Sequence, residues 1–266
     1  MTSSPSIPWQ AKPIVVDGNN DDWNLPYQYY DNNARLAYSI SNDKTNLYIT
    51  VTTGDQATEF KILNSGMHVW VNLSDKKEKR TGILFPANNP GPGRPEGENQ
   101  GTPQGATGSN PMKDMIDRRK EYLLLGFTGC EGGYSTLQKN PCGIEPGMGL
   151  STRTNDLVWE AKIPFKTFYK ESIDGRDLGK LLYIGFEIEG MKRPSGSTEG
   201  GARSGGGGMG GMRGGGGGMR GGGGMRGGGM RGGGGMGGGN LGTGTDRSRL
   251  SESTHTWQAV YLDYKP

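Results

Sequence analysis

Long apolar runs are missing from this chain of 266 residues. No stretch approaches the ~18 consecutive apolar residues that a membrane-crossing helix needs, so a helical integral membrane protein is excluded. Histidine is nearly absent: His68 and His255 are the two in the chain, and neither has a Cys, acid or His at a metal-ligand spacing. No Gly-x-Ser-x-Gly elbow, phosphate loop or dinucleotide fingerprint occurs, and together these gaps argue against an enzyme. Charge of one sign is also lacking, because 30 basic residues face 27 acidic ones. A net charge of +3 is too small to imply a polyanion partner. Helical periodicity is almost absent, with short turns expected only over Met112–Lys120 and Phe165–Glu171. Residues Met1 to Pro8 show neither a charged start nor an apolar stretch, so no signal peptide is expected there; the chain is cytosolic or a mature segment with an added Met. The two cysteines, Cys130 and Cys142, flank a short loop with Gly, Asn and Pro. Spacing alone leaves both a local disulfide and two free thiols open.

What is abundant is glycine, 51 residues, mostly between Gly200 and Gly239. Setting aside the two biased stretches leaves roughly 190 residues, enough for one domain with a real core. That remainder reads as β-structure. In Asn46-Leu-Tyr-Ile-Thr-Val-Thr, Leu47, Ile49 and Val51 share one face. Val69, Val71 and Leu73 do the same against His68, Trp70 and Asn72. Leu157, Trp159, Ala161 and Ile163 alternate with Glu160 and Lys162, and Leu182, Ile184, Phe186 and Ile188 with Tyr183, Gly185, Glu187 and Glu189. Glu121-Tyr-Leu-Leu-Leu-Gly-Phe and Trp257-Gln-Ala-Val-Tyr-Leu-Asp-Tyr complete the set. Short alternating strands divided by Asn/Asp/Gly turns predict an all-β fold, an antiparallel β-sandwich of immunoglobulin-like or jelly-roll-like type. Glu160, Glu187 and Glu189 are expected to be solvated, and Lys76, Lys77, Lys79 and Arg80 to form a solvated hairpin tip.

The expected organisation is a single domain over residues 1–266. It carries a Pro/Gly/Asn-rich loop at 86–117 and a flexible, disordered Gly/Met/Arg-rich insertion at 195–247, before the last strand. The insertion holds Arg203, Arg213, Arg220, Arg226 and Arg231 but no aromatic residue on which a base would stack, which argues against nucleic acid. Met209 and Met212 have a soft-metal spacing, opposed by the neighbouring arginines. Adaptable contact with a partner is the expected use of this tract.

Two blocks carry a family resemblance. Ile14-Val-Val-Asp-Gly-Asn-Asn-Asp-Asp-Trp23, with the following Asn42-Asp-Lys-Thr-Asn-Leu-Tyr-Ile, is one; Leu157-Val-Trp-Glu-Ala-Lys-Ile-Pro-Phe165 is the other. They resemble the opening and two of the strands of family 9 carbohydrate-binding modules and DOMON-like sandwiches. The chain is also similar to a group of bacterial surface proteins with a Gly-rich insertion, which brings no activity with it. The resemblance implies an extracytoplasmic, non-catalytic module that binds glycan. Such families are often calcium-stabilised, and Asp17, Asn19 and Asp21 have the alternate spacing of oxygen ligands around a hard cation. A plain Asx turn pinned by Trp23 is the favoured reading of the same residues, with no cofactor needed.

A sugar site in this family pairs aromatic faces with polar hydrogen-bonders. Alternation puts Tyr48, His68, Trp70 and Asn72 opposite the aliphatic faces, with Tyr183, Trp257 and Tyr261 alongside, and these seven are the candidate ligand-binding residues. The structural alternative makes Trp70 and Trp257 a second core layer or places them beneath a loop. The functional alternative is a protein-interaction subunit of a bacterial envelope or surface complex, using the Gly/Met/Arg loop and having no sugar site.

Overall fold

The alternating segments pair into two antiparallel sheets. The computed structural model describes residues 5–73, 76–87, 110–130, 132–137, 142–191 and 245–266. In chain order the elements are β1 (Tyr29–Asp31), β2 (Leu36–Asn42), β3 (Asn46–Thr53), α1 (Gln56–Ser65), β4 (Met67–Asn72), β5 (Gly82–Phe85) and α2 (Pro111–Asp117). They continue with β6 (Glu121–Leu125), β7 (Gly133–Thr136), β8 (Glu145–Leu150), β9 (Leu157–Pro164), β10 (Leu181–Ile188), α3 (Thr245–Ser251) and β11 (Thr254–Tyr261). The first sheet runs β1-β2-β3-β9-β8 and the second β11-β10-β4-β5-β6-β7. No helix among the described residues is long and apolar enough to cross a membrane.

The expected core forms. Leu47, Ile49, Val51, Val69, Val71, Leu157, Trp159, Ile163, Ile184 and Phe186 are all at most 2% exposed and belong to one cluster. Each of these faces is apolar at every second residue, so pairing two sheets is what removes them from water. The N-terminal segment then laces the sheets together. Ile7 N–H donates to the Tyr261 carbonyl on β11 at 2.9 Å, and Gln10 N–H to the Asn42 carbonyl on β2 at 2.7 Å. Farther on, residues 14–28 add a layer outside the first sheet, where Ile14, Trp23 and Tyr48 make a second small cluster.

Three expectations need correction or completion. Helix α1 was not foreseen: its buried residues include Thr58, Glu59 and Lys61, so no apolar stripe marks it. Glu59 accepts the Leu157 N–H at 3.3 Å and Lys61 donates to the Glu252 carbonyl at 3.1 Å. The helix is thus held by polar partners distant in sequence. The expected turn at Phe165–Glu171 is a single 3-10 turn, Phe165–Thr167. Cys130 and Cys142 are joined as a disulfide, which settles the alternative left open by spacing. Closing a loop of this length by a cross-link stabilises a fold by on the order of 3 kcal/mol.

The 195–247 insertion, with its Met and Arg residues, and most of the 86–117 loop lie outside the described residues, apart from the backbone of α3. The flanks of the insertion are described. Met191 N–H donates to the Leu250 carbonyl at 2.7 Å and Gly190 N–H to Ser253 Oγ at 3.0 Å. Arg249 grips Asp55, the N-cap of α1, with two bonds of 2.9 and 3.0 Å. The described flanks are thus bonded to one another, and glycine repays its large ordering entropy poorly. Replacing residues 194–242 by a short linker should therefore leave the thermal midpoint within a few degrees of the parent. A loss beyond about 10 °C, on the order of 4 kcal/mol for a domain of this size, would show that the tract packs specifically.

Candidate functional site

Alternation in β4 sends Val69 and Val71 inward and His68, Trp70 and Asn72 to the outer face of the second sheet. Register fixes what meets them there. Gly185 on β10 lies between Trp70 on β4 and Trp257 on β11; Glu187 lies between His68 and His255; Tyr183 lies between Asn72 and Ala259. Tyr261 pairs with Leu181 at the end of the same ladder. Six of the seven candidate ligand residues thus come together on three adjacent strands. Tyr48 does not join them. It sits on the first sheet, 1% exposed against Ile14 and Trp23, and its hydroxyl donates to Asp43 at 2.7 Å. Alternation gives a face relative to one strand and does not say to which sheet that strand belongs.

Glycine shapes this surface. A Cβ at Gly185 would stand 2.9 Å from three ring atoms of Trp257, so the indole lies with its plane against the strand backbone. Gly82 plays the same part for Trp70, with a Cβ-to-ring distance of 2.6 Å. The His68 ring stacks on Trp70 at 5.0 Å and 4°. Trp70 is only 6% exposed, which is the structural alternative of a covered side chain, whereas Trp257, Tyr183 and Tyr261 are half-buried. These two glycines were not among the candidates; a glycine at an outward position of an alternating strand was the available signal.

The polar groups are placed by the same ladder. Trp70 Nε1 donates to Glu187 at 3.1 Å, and Lys79 pairs with the other Glu187 oxygen at 2.6 Å. Burial alone would raise the Glu187 carboxyl, but the Lys79 and Trp70 bonds outweigh it and hold it below the usual range. Burial pushes the His68 imidazole down, against the pull of Glu187 and Glu189. The lysine run is consequently more than a solvated tip: Lys79 folds back to Glu187, and the Lys77 ammonium lies 5.8 Å from the Tyr183 ring centroid.

A different arrangement surrounds the Asp17 turn. Asn19 N–H donates to Asp17 Oδ1 at 2.8 Å, closing an Asx turn. Gly18 adopts φ +80° and its Cα faces the β8 backbone so closely that a Cβ would meet Met148 and Gly149 at 2.4 Å. Glu160, expected to be solvated, is fully buried beneath this turn. Its carboxylate accepts from Trp23 Nε1 at 2.7 Å, Gly18 N–H at 2.9 Å and Asp17 N–H at 3.3 Å. Since Glu160 lies on the first sheet and Glu187 on the second, they form no catalytic carboxylate pair. A cleft of about 460 Å³ beside the turn, lined by Val16, Lys120, Tyr122, Glu145 and Met148, is remote in the fold from the aromatic face.

Of the turn's three candidate calcium ligands, Asn19 has a buried Oδ1 with no hydrogen-bond partner among the described residues, whereas Asp21 is poorly suited. Asp21 is taken by Asn19 at 2.8 Å and by Arg153 at 3.1 Å, and the guanidinium opposes a second cation. Among the described residues no three His, Cys, Asp or Glu side chains cluster as metal ligands. Thermal midpoints in calcium and in chelator should coincide; a rise with calcium would show a ligand bound to the folded state.

Burial pushes the Glu160 carboxyl up to about 7, despite the three N–H bonds that favour its charge. The folded value exceeds the ordinary 4.5 of the unfolded chain, so the folded state holds the proton between them. This contribution to stability is complete below 4.5 and is lost as pH rises through 7. Glu160→Gln should remove a slope of up to about 1.4 kcal/mol per pH unit in that window, measured by urea unfolding across pH. A variant that keeps the parent's slope would assign it to other groups.

Comparison with known proteins leaves these two arrangements to speak for themselves: no family model, curated protein or solved structure matches the chain.

Proposed function

We propose that the protein is a non-catalytic, extracytoplasmic glycan-binding module whose site is the outer face of β4, β10 and β11. The observation that carries this reading is the Trp257 indole lying flat over Gly185. A sugar ring presents C–H groups on one face, and an aromatic plane held parallel to the sheet offers the matching surface. Around it the ladder sets polar groups two residues away: the exposed His255 beside Glu187 in the row on one side of Gly185, with Glu187 itself held by Lys79 and Trp70. A sugar needs both kinds of contact, because its hydroxyls must be satisfied while its ring is desolvated.

The Cys130–Cys142 disulfide supports the location, since such bonds persist in oxidising compartments. The carboxylates support a binding role over catalysis. Glu160 is locked under the N-terminal turn, and Glu187 is committed to Lys79 and Trp70.

The test is a polysaccharide panel, read by affinity electrophoresis and calorimetry, on the intact protein and on Trp257→Ala. The parent should retain at least one glycan, and the variant should lose roughly tenfold in affinity, the equivalent of one lost stacking contact. Its thermal midpoint should stay near the parent's, because the ring is half-buried and outside the core. Undiminished binding by Trp257→Ala would move the site elsewhere, and no binding to any glycan would end the reading.

A further inference from the structure

The glycan-binding reading says nothing of charge, yet the face is electrically lopsided along its length. At the β4–β5 hairpin end stand Lys76, Lys77, Lys79 and Arg80, with Glu78 as the one described acid among them. At the opposite end stand Glu187 and the exposed Glu189. Three contacts decide how much of this charge is free. Glu187 is neutralised by Lys79 at 2.6 Å, which removes one lysine and the carboxylate closest to the Trp257 platform. Arg80 meets Glu78 at 3.6 Å with its side chain 83% exposed, too loose and too solvated to count as a committed pair. Lys77 has no ion pair among the described residues and rests 5.8 Å from the centroid of the Tyr183 ring.

Tyr183 is two residues from Gly185 on β10, so its ring and the Trp257 indole are diagonal neighbours on one face. A sugar stacked on Trp257 over Gly185 therefore has the Lys77 ammonium on its Tyr183 side, and Arg80 follows three residues later on the same hairpin. Resting on the Tyr183 ring, the Lys77 ammonium has part of its hydration replaced while its charge stays available to an anion. An acidic group on a bound sugar finds on that side the unpaired Lys77 ammonium, with Glu78 the one described carboxylate there and held loosely by Arg80, and on the other side Glu187 and Glu189.

Resting on the reading above, we propose that the glycan taken at this face is anionic, its carboxylate or sulfate directed to Lys77 and Arg80 while its ring lies on Trp257. A carboxylated polymer and a sulfated one share this chemistry, and the experiment separates them. Binding is measured to polygalacturonate and its fully methyl-esterified form, and to a sulfated galactan and its desulfated form, at low and high salt. Poly-glutamate serves as a polyanion without sugar.

At least one acidic polymer should bind roughly tenfold tighter than its uncharged counterpart, and the advantage should shrink with salt. Lys77→Ala with Arg80→Ala should abolish that preference, and Trp257→Ala should weaken the acidic polymer as well. Both lysine and arginine side chains are exposed, so the double variant should fold as the parent does. Equal binding of acidic and uncharged forms, or a preference surviving the double variant, overturns the proposal and leaves the glycan reading standing. Binding only to neutral glycans of the earlier panel has the same meaning. Poly-glutamate bound as tightly as the acidic polymer would reduce the effect to ion exchange and also overturn it. Failure of every glycan in both panels would remove the underlying reading itself.

Discussion

A single carboxylate, Glu160, joins the outermost layer of this protein to its sandwich. It has left water entirely, and in exchange it gathers two turn amides and an indole N–H. Removing a charge from water without partners costs far more than a fold of this size retains, so the carboxyl and the turn above it are interdependent. Gly18 can approach β8 only because it lacks a side chain, and Trp23 can seal Tyr48 only because its nitrogen has an acceptor beneath it. Asp43 repeats the logic on a smaller scale. It closes the β2–β3 turn through the Thr45 and Asn46 amides, both at 2.6 Å, and receives the Tyr48 hydroxyl. Covering the centre of the first sheet in this way buries Tyr48, whereas Tyr183, Trp257 and Tyr261 on the second sheet stay half-buried.

On that second sheet the active devices are absences. Gly185 and Gly82 give up their side chains so that indoles settle onto strand backbone. A glycine inside a strand weakens it by entropy and lost packing, and a ring laid over it restores apolar contact. Lys79 and Glu187 then act as a brace: their pair draws the β4–β5 hairpin against the face while leaving Lys77 on Tyr183 at its margin.

The described flanks of the long insertion are tied to one another. Helices α1 and α3 meet through the Asp55–Arg249 pair, and Lys61 reaches the Glu252 carbonyl nearby. Long loops cost little more to close than short ones, since the entropy grows only logarithmically with length. Flanks tied together next to β10 and β11 let the sandwich carry such a segment without straining the ladder that aligns Trp257 with Gly185.

From the sequence alone came six of the strands, β3, β4, β6, β9, β10 and β11, the apolar faces that form the core and the antiparallel sandwich, because burial on a pleated sheet writes a two-residue period that needs no partner to be read; β1, β2, β5, β7 and β8 were not read. The sequence also marked the Asp17 turn and its pin, Trp23, since an Asx turn is built from neighbours in the chain. Six of the seven aromatic and polar candidates met on one face for the same reason of parity. Tertiary structure alone decided the rest. Parity could not assign β3 to the opposite sheet, so Tyr48 went into a core; nor could it show that residues 14–28 fold over Glu160, 137 residues away from Trp23. Helix α1 was silent because Thr58, Glu59 and Lys61 are buried beside Ile62 and Leu63, which breaks the apolar stripe, and Glu59 and Lys61 are satisfied by Leu157 and Glu252, far away in sequence. Spacing between cysteines could not distinguish a bond from two thiols, because what brings Cys130 to Cys142 is the packing of the segments before β7 and β8. In each case the missing term was a partner distant in sequence, and a local pattern holds no record of it.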